Sequence, residues 1–212
     1  MAGTTVRGSY SVGIERRERI LVAATENFAR EGYFRASMAD IARDVGLTSP
    51  GLMHYFPTKQ HLLVAMAERR FELVGEWARE HKPDLDGTGP FRNMVEVTRR
   101  IVHYPGLIEL FVWLSAEASD PGSPAHELYV RRYELARKEL SAELQHSAAA
   151  GHLRTDVDYE LIARQCIAIT DGAQLQWVLS EGKLDIVRIV RDMLEHIAAA
   201  VRSDGIFTSF EP

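Results

Sequence analysis

The sequence predicts an all-α protein, because apolar residues recur three and four positions apart along most of its 212 residues and strand-like alternation is nearly absent. Segments rich in glycine and proline interrupt this pattern at residues 81–90, 104–106 and 120–124. Between the breaks we expect about nine helices, at residues 14–31, 37–45, 49–56, 58–79, 91–103, 107–119, 125–150, 157–180 and 184–202.

The chain divides by composition into four parts. Residues 1–13 are rich in glycine, serine and threonine, which predicts a flexible arm. Residues 14–59 contain one long and two short helical patterns, which predict a three-helix helix-turn-helix domain. Residues 60–203 contain longer amphipathic helices, which predict a helical bundle, and residues 204–212 are expected to form a loose tail.

Charge and cysteine content narrow the possible functions. The formal net charge of the chain is -5, but residues 1–60 carry eight basic and six acidic side chains, a local charge of +2 that leaves -7 for the remainder. A nucleic-acid contact is therefore expected at the N-terminal end. The single cysteine, Cys166, excludes an intramolecular disulfide. No secretory signal or membrane-length apolar segment is visible, so we expect a cytoplasmic protein without a membrane partner.

The second predicted helix and the turn after it have clear local signals. Ser37 followed by Asp40 resembles a capping box at a helix start. Small Ala42 allows another helix to approach closely. Gly46 lies where a tight turn needs a positive φ, which glycine adopts easily.

The third predicted helix begins just after this turn. Ser49 is expected to cap it, with Pro50 at the first helical position, where a missing N–H costs little. Leu52 and Phe56 lie four apart and are expected to face the core.

The spacing from Ala42 through Gly46 to Leu52 is what two helices crossing steeply over a short turn require. In that arrangement the second helix enters the DNA major groove with its N-terminal residues leading. The alternative is that these are simply two packed helices with no DNA contact. The residues that would face DNA are Thr48, Ser49, Pro50, Gly51 and His54.

The same segment resembles the TetR family of bacterial transcriptional regulators. About 45 residues carry the resemblance, and the later helices match that family only in number and length. The matching residues are Ala29, Gly32, Tyr33, Ala36, Ser37, Ile41, Ala42, Gly46, Leu47, Thr48, His54, Tyr55, Phe56, Pro57, Lys59, Leu62 and Leu63.

The resemblance implies a homodimer that binds a palindromic double-stranded DNA operator, typically as a repressor released by a small-molecule effector. It implies that Thr48 and Ser49 contact DNA backbone or bases and that Tyr55 and Lys59 contact phosphates. The helix N-terminus beside Lys59 also favours an anion.

The segment also departs from the family pattern at three places. Met53 stands where many members have tyrosine, Gly51 where many have threonine, and Ser49 where a basic residue is common. We therefore expect Arg43, and Arg7 in the arm, to contribute to DNA affinity.

The last two long helices are candidates for the dimer interface, because each has apolar residues on more than one side. A helix covered on two faces needs two packing partners, and two such helices per subunit would form a four-helix bundle. The alternative is that both faces belong to the intramolecular core. Two apolar rows run along the first of these helices: one is Ile162, Cys166, Ile169 and Ala173, and the other is Leu161, Ala168, Gly172, Leu175 and Leu179.

The middle helices are expected to enclose a ligand pocket, because apolar walls with a few polar groups are typical of small-molecule sites. Ordinary core packing explains the aromatic residues and methionine equally well, whereas a buried Asp171 would need a partner. The candidate lining residues are Met94, Ile101, Phe111, Trp113, Glu117, Asp171 and Gln174.

No pattern indicates catalysis, a cofactor or a metal site. The eight histidines include no pair at ligating spacing on one helix, and no phosphate loop or nucleophile motif is present. The sequence therefore predicts a DNA-binding regulator that is not an enzyme. Two alternatives remain: a DNA-binding regulator without a small-molecule effector, and an all-helical enzyme or carrier.

Overall fold

The computed structural model describes residues 5–32, 35–80, 86–104 and 106–210, with the side chains of the first helix described from Val12 onward. This part of the chain contains nine α-helices and no strand longer than an isolated bridge, which confirms the all-α prediction. The helices are α1 (Thr5–Glu31), α2 (Met38–Asp44), α3 (Ser49–Tyr55), α4 (Lys59–Arg79), α5 (Gly89–Val102), α6 (Leu107–Glu117), α7 (His126–Ala149), α8 (Tyr159–Leu179) and α9 (Ile186–Val201).

The N-terminal arm is shorter than predicted. Helix α1 begins at Thr5 instead of Ile14, so the prediction of a flexible arm is wrong for residues 5–13. Extending an existing helix fixes one residue per added hydrogen bond, which costs far less than starting one, so the packed part of α1 can propagate into a poor helix-forming sequence. The first four residues of the predicted arm, and the side chain of Arg7, lie outside the described part.

Helices α1 to α4 share one apolar core. Burying a large aliphatic or aromatic side chain contributes about 1.5–3 kcal/mol, so this cluster holds the short helices α2 and α3, which are too short to be stable alone. The same core continues into α6 and α7. Its large buried members are Ile20, Leu21, Phe28, Ile41, Leu52, Phe56, Leu62, Leu63, Met66, Leu110, Phe111, Leu114 and Tyr129.

Helices α5 to α9 and the second half of α4 form a second core. Cys166 is fully buried there, and burial raises the pKa of its thiol to about 12, so it acts as a small apolar side chain. No described helix has the length and apolarity needed to span a membrane. Other large residues of this core are Trp77, Phe91, Ile108, Leu144, Leu153 and Leu194.

The C-terminal tail is ordered up to Phe210, which contradicts the expectation of a loose tail. The Phe210 ring is buried, and its backbone N–H donates to Glu195 Oε1 at 2.5 Å. Arg202 binds Asp204 and reaches Asp86 at 3.2 Å, which ties the tail to the loop before α5. Residues 211–212 of the predicted tail lie outside the described part.

Candidate nucleic-acid interface and ligand cavity

Helix α2 and the following turn are fixed by bonds between near neighbours. Ser37 Oγ accepts from the Asp40 backbone N–H at 3.1 Å, as the capping prediction requires. Gly46 has a φ of 70°, and the Leu47 N–H donates to Ala42 O at 2.8 Å. The turn therefore has one tight geometry, which sets where α3 begins.

Helix α3 is capped by Thr48, so the prediction that Ser49 caps it is wrong by one residue. Thr48 Oγ1 accepts from the Gly51 N–H at 3.2 Å, while Ser49 is the first helical residue. Both residues can cap, and the turn at Gly46 gives the extended backbone of a cap to Thr48. Leu52 and Phe56 are buried, as predicted.

The opposite face of α3 is open to solvent. The exposed residues are Thr48, Ser49, Pro50 and His54, and Gly51 is half-buried. The side chains at the start of α3 are short, so they protrude little from the helix. A Cβ at Gly51 would lie 3.2 Å from Thr48 Oγ1, so glycine keeps the cap uncrowded.

Two further predicted DNA-contact residues border this face. Arg43 is exposed on α2, where it forms an ion pair with Asp40 at 2.8 Å. Tyr55 is half-buried at the end of α3, with its ring in an edge contact with His54.

Lys59 has a structural contact that the sequence did not predict. Its Nζ donates to Ala36 O at 2.8 Å and lies 5.5 Å from the centre of the Phe28 ring, and burial lowers its pKa. The ammonium therefore joins the start of α4 to the segment before α2. Its predicted phosphate contact stays a prediction.

A cavity of about 720 Å³ lies among helices α4 to α8. This volume is in the range of small-molecule sites. Five of the seven predicted ligand residues line it: Met94, Ile101, Phe111, Asp171 and Gln174.

The other two predicted ligand residues lie outside the cavity lining. Trp113 packs against the core of α1 to α4. Glu117 accepts from Gln60 Nε2 at 2.6 Å, so it joins the end of α6 to the start of α4. Both face the DNA-binding end because α6 runs from the cavity to that end, a direction that helical spacing alone does not give.

Sequence reasoning missed several polar residues of the cavity, among them Arg70, Arg132 and Tyr133. Arg70 is only 3% exposed; its Nε donates to Leu107 O at 2.9 Å and its Nη2 to Gln174 Oε1 at 2.8 Å. One signal was available, since Arg70 is four residues from both Met66 and Val74 and so shares their buried face.

The cavity also contains a buried carboxylate. Tyr133 Oη donates to Asp171 Oδ2 at 2.6 Å, which gives Asp171 the partner that its burial requires. Burial raises the pKa of Asp171 and lowers the pKa of Arg132, and it lowers the pKa of Arg70 to about 10. The low polarity of the site thus disfavours every charge in it.

Comparison with known protein families gives two matches, one in the N-terminal part of the chain and one in the C-terminal part. Residues 20–66 match the family model described as bacterial regulatory proteins, tetR family, and residues 108–202 match the one described as BetI-type transcriptional repressor, C-terminal. The chain belongs to the TetR family of transcriptional regulators.

Relatives agree with this assignment along most of the chain. The TetR-family repressor AcnR of Corynebacterium diphtheriae is 24% identical over 187 residues, which cover 85% of this chain and 90% of AcnR. Members of this family regulate transcription, so the chain is a regulator and not an enzyme, as expected.

Solved TetR-type structures share the fold. A regulator from Haloarcula marismortui superposes with a TM-score of 0.79 at 20% identity, covering 89% of this chain and 99% of that one. A regulator from Saccharomonospora viridis, solved in complex with choline, gives 0.76 at 20% identity, covering 89% and 98%.

Helices α8 and α9 leave an apolar surface uncovered. One of the two apolar rows of α8 is buried at Cys166 and Ala173, whereas the other is exposed at Leu161, Leu175 and Leu179, with relative exposures of 51%, 47% and 74%. Nothing lies within 4 Å of a Cβ built at Gly172. We call this surface, with Met193 of α9, the α8–α9 face.

Proposed function

We propose that this TetR-family regulator is a repressor that binds a palindromic operator as a homodimer and is released by a small molecule bound in the cavity. The observation that carries the proposal is the path of α4. This one continuous helix starts at the Lys59 contact beside the helix-turn-helix and lines the cavity with Arg70 and Phe71. A displacement at one end therefore reaches the other.

The DNA contact is assigned to the exposed start of α3, with Thr48, Ser49, Pro50, Gly51 and His54. Short side chains there let the backbone approach base edges. Arg43 and Tyr55 border the face and supply phosphate contacts.

Dimerisation is assigned to the α8–α9 face. Three exposed leucines in one row of α8 are unusual for a solvated helix surface and suit a helix packed against its symmetry mate. The pairing brings two copies of α3 to successive major grooves, about 34–36 Å apart.

Release requires a connection between the cavity and the helix-turn-helix. Gln60 joins α4 to Glu117 on α6, and Arg69 joins α4 to Glu18 on α1 at 3.1 Å. At the start of α6, Gly106 packs so closely on α1 that a Cβ there would lie 3.0 Å from Ala29 Cβ. A ligand that moves α4 or α6 thus changes the position of α1 and, with it, the spacing of the two α3 helices.

Selection of operator DNA from a random duplex library by the full-length protein tests the proposal. We expect a palindrome, bound with strong salt dependence. Recovery of no preferred sequence would contradict the DNA-binding assignment.

A charge on the α8–α9 face tests the dimer. Leu175→Glu is expected to give a monomer in sedimentation at micromolar concentration and to weaken operator binding by roughly 100-fold or more. Val130→Glu is the matched control, since Val130 is an exposed apolar residue on α7. A Leu175→Glu protein that remains dimeric would place the interface elsewhere.

A further inference from the structure

Two arginines of the cavity, the buried Arg70 and the half-buried Arg132, form no ion pair with a carboxylate in the part of the chain that the structure describes. Arg70 donates only to neutral acceptors, Leu107 O and Gln174 Oε1. Among the described residues, Arg132 forms no hydrogen bond or ion pair; its guanidinium lies over the Phe71 ring, 5.4 Å from the ring centre. Asp171 is bonded to Tyr133 instead of to either arginine. Asp171 and Glu139 act on Arg132 only as nearby charges, so the N–H groups of its guanidinium are available to hydrogen-bond an anion in the cavity.

Two of the three aromatic rings that line the cavity, Phe71 and Phe111, are already covered by these cations. The Arg70 guanidinium lies 4.4 Å from the centre of the Phe111 ring and 5.8 Å from that of Phe71, which Arg132 also covers. Aromatic faces are the groups that recognise quaternary ammonium ligands. A ligand cation such as choline, which the Saccharomonospora viridis regulator binds, would here meet like charge.

The mouth of the cavity has the opposite charge. Glu72, Glu76 and Glu139 line it from α4 and α7, and all three are exposed. Water and salt screen these exposed charges over about 8–10 Å. Glu68, Glu143 and Asp171 also line the cavity and are half-buried like Arg132. An anion is therefore favoured only where it contacts the arginines, and the carboxylates reduce the net gain.

Much of the wall that α5 and α6 contribute is apolar. Its polar members Asn93 and Thr98 already donate to backbone carbonyls. The apolar residues are Met94, Val97, Ile101, Ile108 and Phe111. Such a wall accommodates a hydrocarbon chain or ring system and offers it no hydrogen bonds.

We propose that the ligand is an amphiphilic organic monoanion, a carboxylate on an apolar body, whose charged group binds Arg132 while its body packs on α5 and α6. This proposal rests on the proposed function, because it assigns the ligand class to the same cavity. A carboxylate accepts two parallel hydrogen bonds from a guanidinium, the geometry that a lysine could not supply.

Three probes of equal chain length and different head group test the charge preference. Decanoate, decan-1-ol and decyltrimethylammonium are titrated calorimetrically into the full-length protein, below their micelle concentrations. We expect decanoate to bind about 10- to 100-fold more tightly than decan-1-ol, because hydrogen bonds to charged groups are worth that much, and decyltrimethylammonium to bind weakest. Equal or tighter binding of the cation, or no decanoate binding at millimolar concentration, would overturn the proposal.

A pair of neighbouring arginine variants locates the anion site. Arg132→Met removes the charge at similar volume and is expected to abolish the preference for decanoate over decan-1-ol. Arg131→Met is the control, because Arg131 is exposed at the cavity edge and pairs with Glu127 at 3.6 Å. If Arg132→Met unfolds the protein, Arg132→Lys serves instead and is expected to lower decanoate affinity about tenfold. An unchanged head-group preference in the folded variant would refute the role of Arg132.

Operator release is measured separately from binding. Decanoate is added to the complex with the selected operator, and DNA dissociation is followed by fluorescence anisotropy. Binding of decanoate without release of DNA would support the anion site and contradict the effector mechanism of the proposed function. Release by decyltrimethylammonium alone would keep the effector mechanism and overturn the ligand class.

Discussion

The helix-turn-helix and the cavity differ in how far apart in the sequence their hydrogen-bonded groups lie. Around α2 and α3 the capping bonds are local: Ser37 to Asp40 and Thr48 to Gly51. In the cavity Arg70 bonds Leu107 and Gln174, which are 37 and 104 residues away. The helix caps are therefore separate small contacts, whereas the polar groups of the cavity form a cluster drawn from four helices, α4, α6, α7 and α8.

This difference has an energetic consequence. A lost surface cap costs about 1 kcal/mol and leaves its neighbours intact, while a lost partner in a buried polar cluster leaves the other group unsatisfied. The apolar core under α3 is the exception in the first region, because a side chain there is as buried as any in the cavity.

The largest effect on stability is expected in the apolar core under α3, where side chains are as buried as those in the cavity. Leu52→Ala should lower the free energy of unfolding by about 2–5 kcal/mol, because Leu52 is fully buried and α3 cannot collapse around the void. Met53→Ala is the control, since Met53 is 51% exposed, and should change stability by less than about 0.5 kcal/mol. Urea titration of both variants measures this, and a similar loss in both would contradict the burial pattern.

Tyr133→Phe tests the coupled cluster and should cost about 1–3 kcal/mol at pH 7, because the Asp171 carboxylate loses its donor. Burial already raises the pKa of Asp171 above 3.8, so the folded state favours the protonated acid. The stabilising effect of that proton is present at low pH and lost as the pH rises through the folded pKa.

The cost of Tyr133→Phe should accordingly shrink as the pH falls from 7 through the raised pKa of Asp171, because the protonated acid no longer needs the phenol as a donor. Tyr104→Phe is the control, because Tyr104 is 48% exposed. Thermal unfolding across this pH range provides the measurement; a cost that grows on acidification would reverse the sign assigned to Asp171.

Thr48→Ala probes a single local contact and should lower stability by about 1 kcal/mol through loss of the α3 cap. Ser49→Ala, one residue on, should change stability by less than about 0.5 kcal/mol. Chemical denaturation of the two variants distinguishes the capping residue, and a larger loss for Ser49→Ala would restore the assignment made from sequence.

Arg43→Ala is expected to have the smallest effect on stability, below about 0.5 kcal/mol, because its ion pair with Asp40 is exposed. Its effect should appear in DNA binding, where one lost phosphate contact lowers the salt slope by about 0.9. Arg99→Ala removes a similar exposed pair with Glu96 on α5 and should leave the slope unchanged. Equal slopes for both variants would remove Arg43 from the interface.

The same contrast explains how much could be predicted from sequence. Helix order, the turn at Gly46 and the two-sided character of α8 follow from spacing and capping within a few residues. The cap was misplaced by one position because Thr48 and Ser49 are chemically equivalent there. Lys59 was assigned to phosphate because its acceptor, Ala36 O, lies 23 residues earlier.

The cavity was predicted only in outline for a related reason. Met94 and Asp171 were found by composition, but the role of Arg70 depends on helices that meet only in three dimensions. The direction of α6 places Glu117 beside Gln60 instead of in the cavity, and no residue near Glu117 in sequence indicates this.

The close packing of Gly106 against α1 has a genetic consequence. Its φ is 79°, and every missense change in a glycine codon adds a Cβ, which would meet Ala29 Cβ at 3.0 Å and Thr25 O at 3.1 Å. Selection for alleles with altered response to the proposed effector should therefore recover Gly106 substitutions repeatedly, although this residue lies outside both α3 and the cavity lining. Such alleles would indicate that the contact between α1 and the α5–α6 turn couples ligand binding in the cavity to DNA binding.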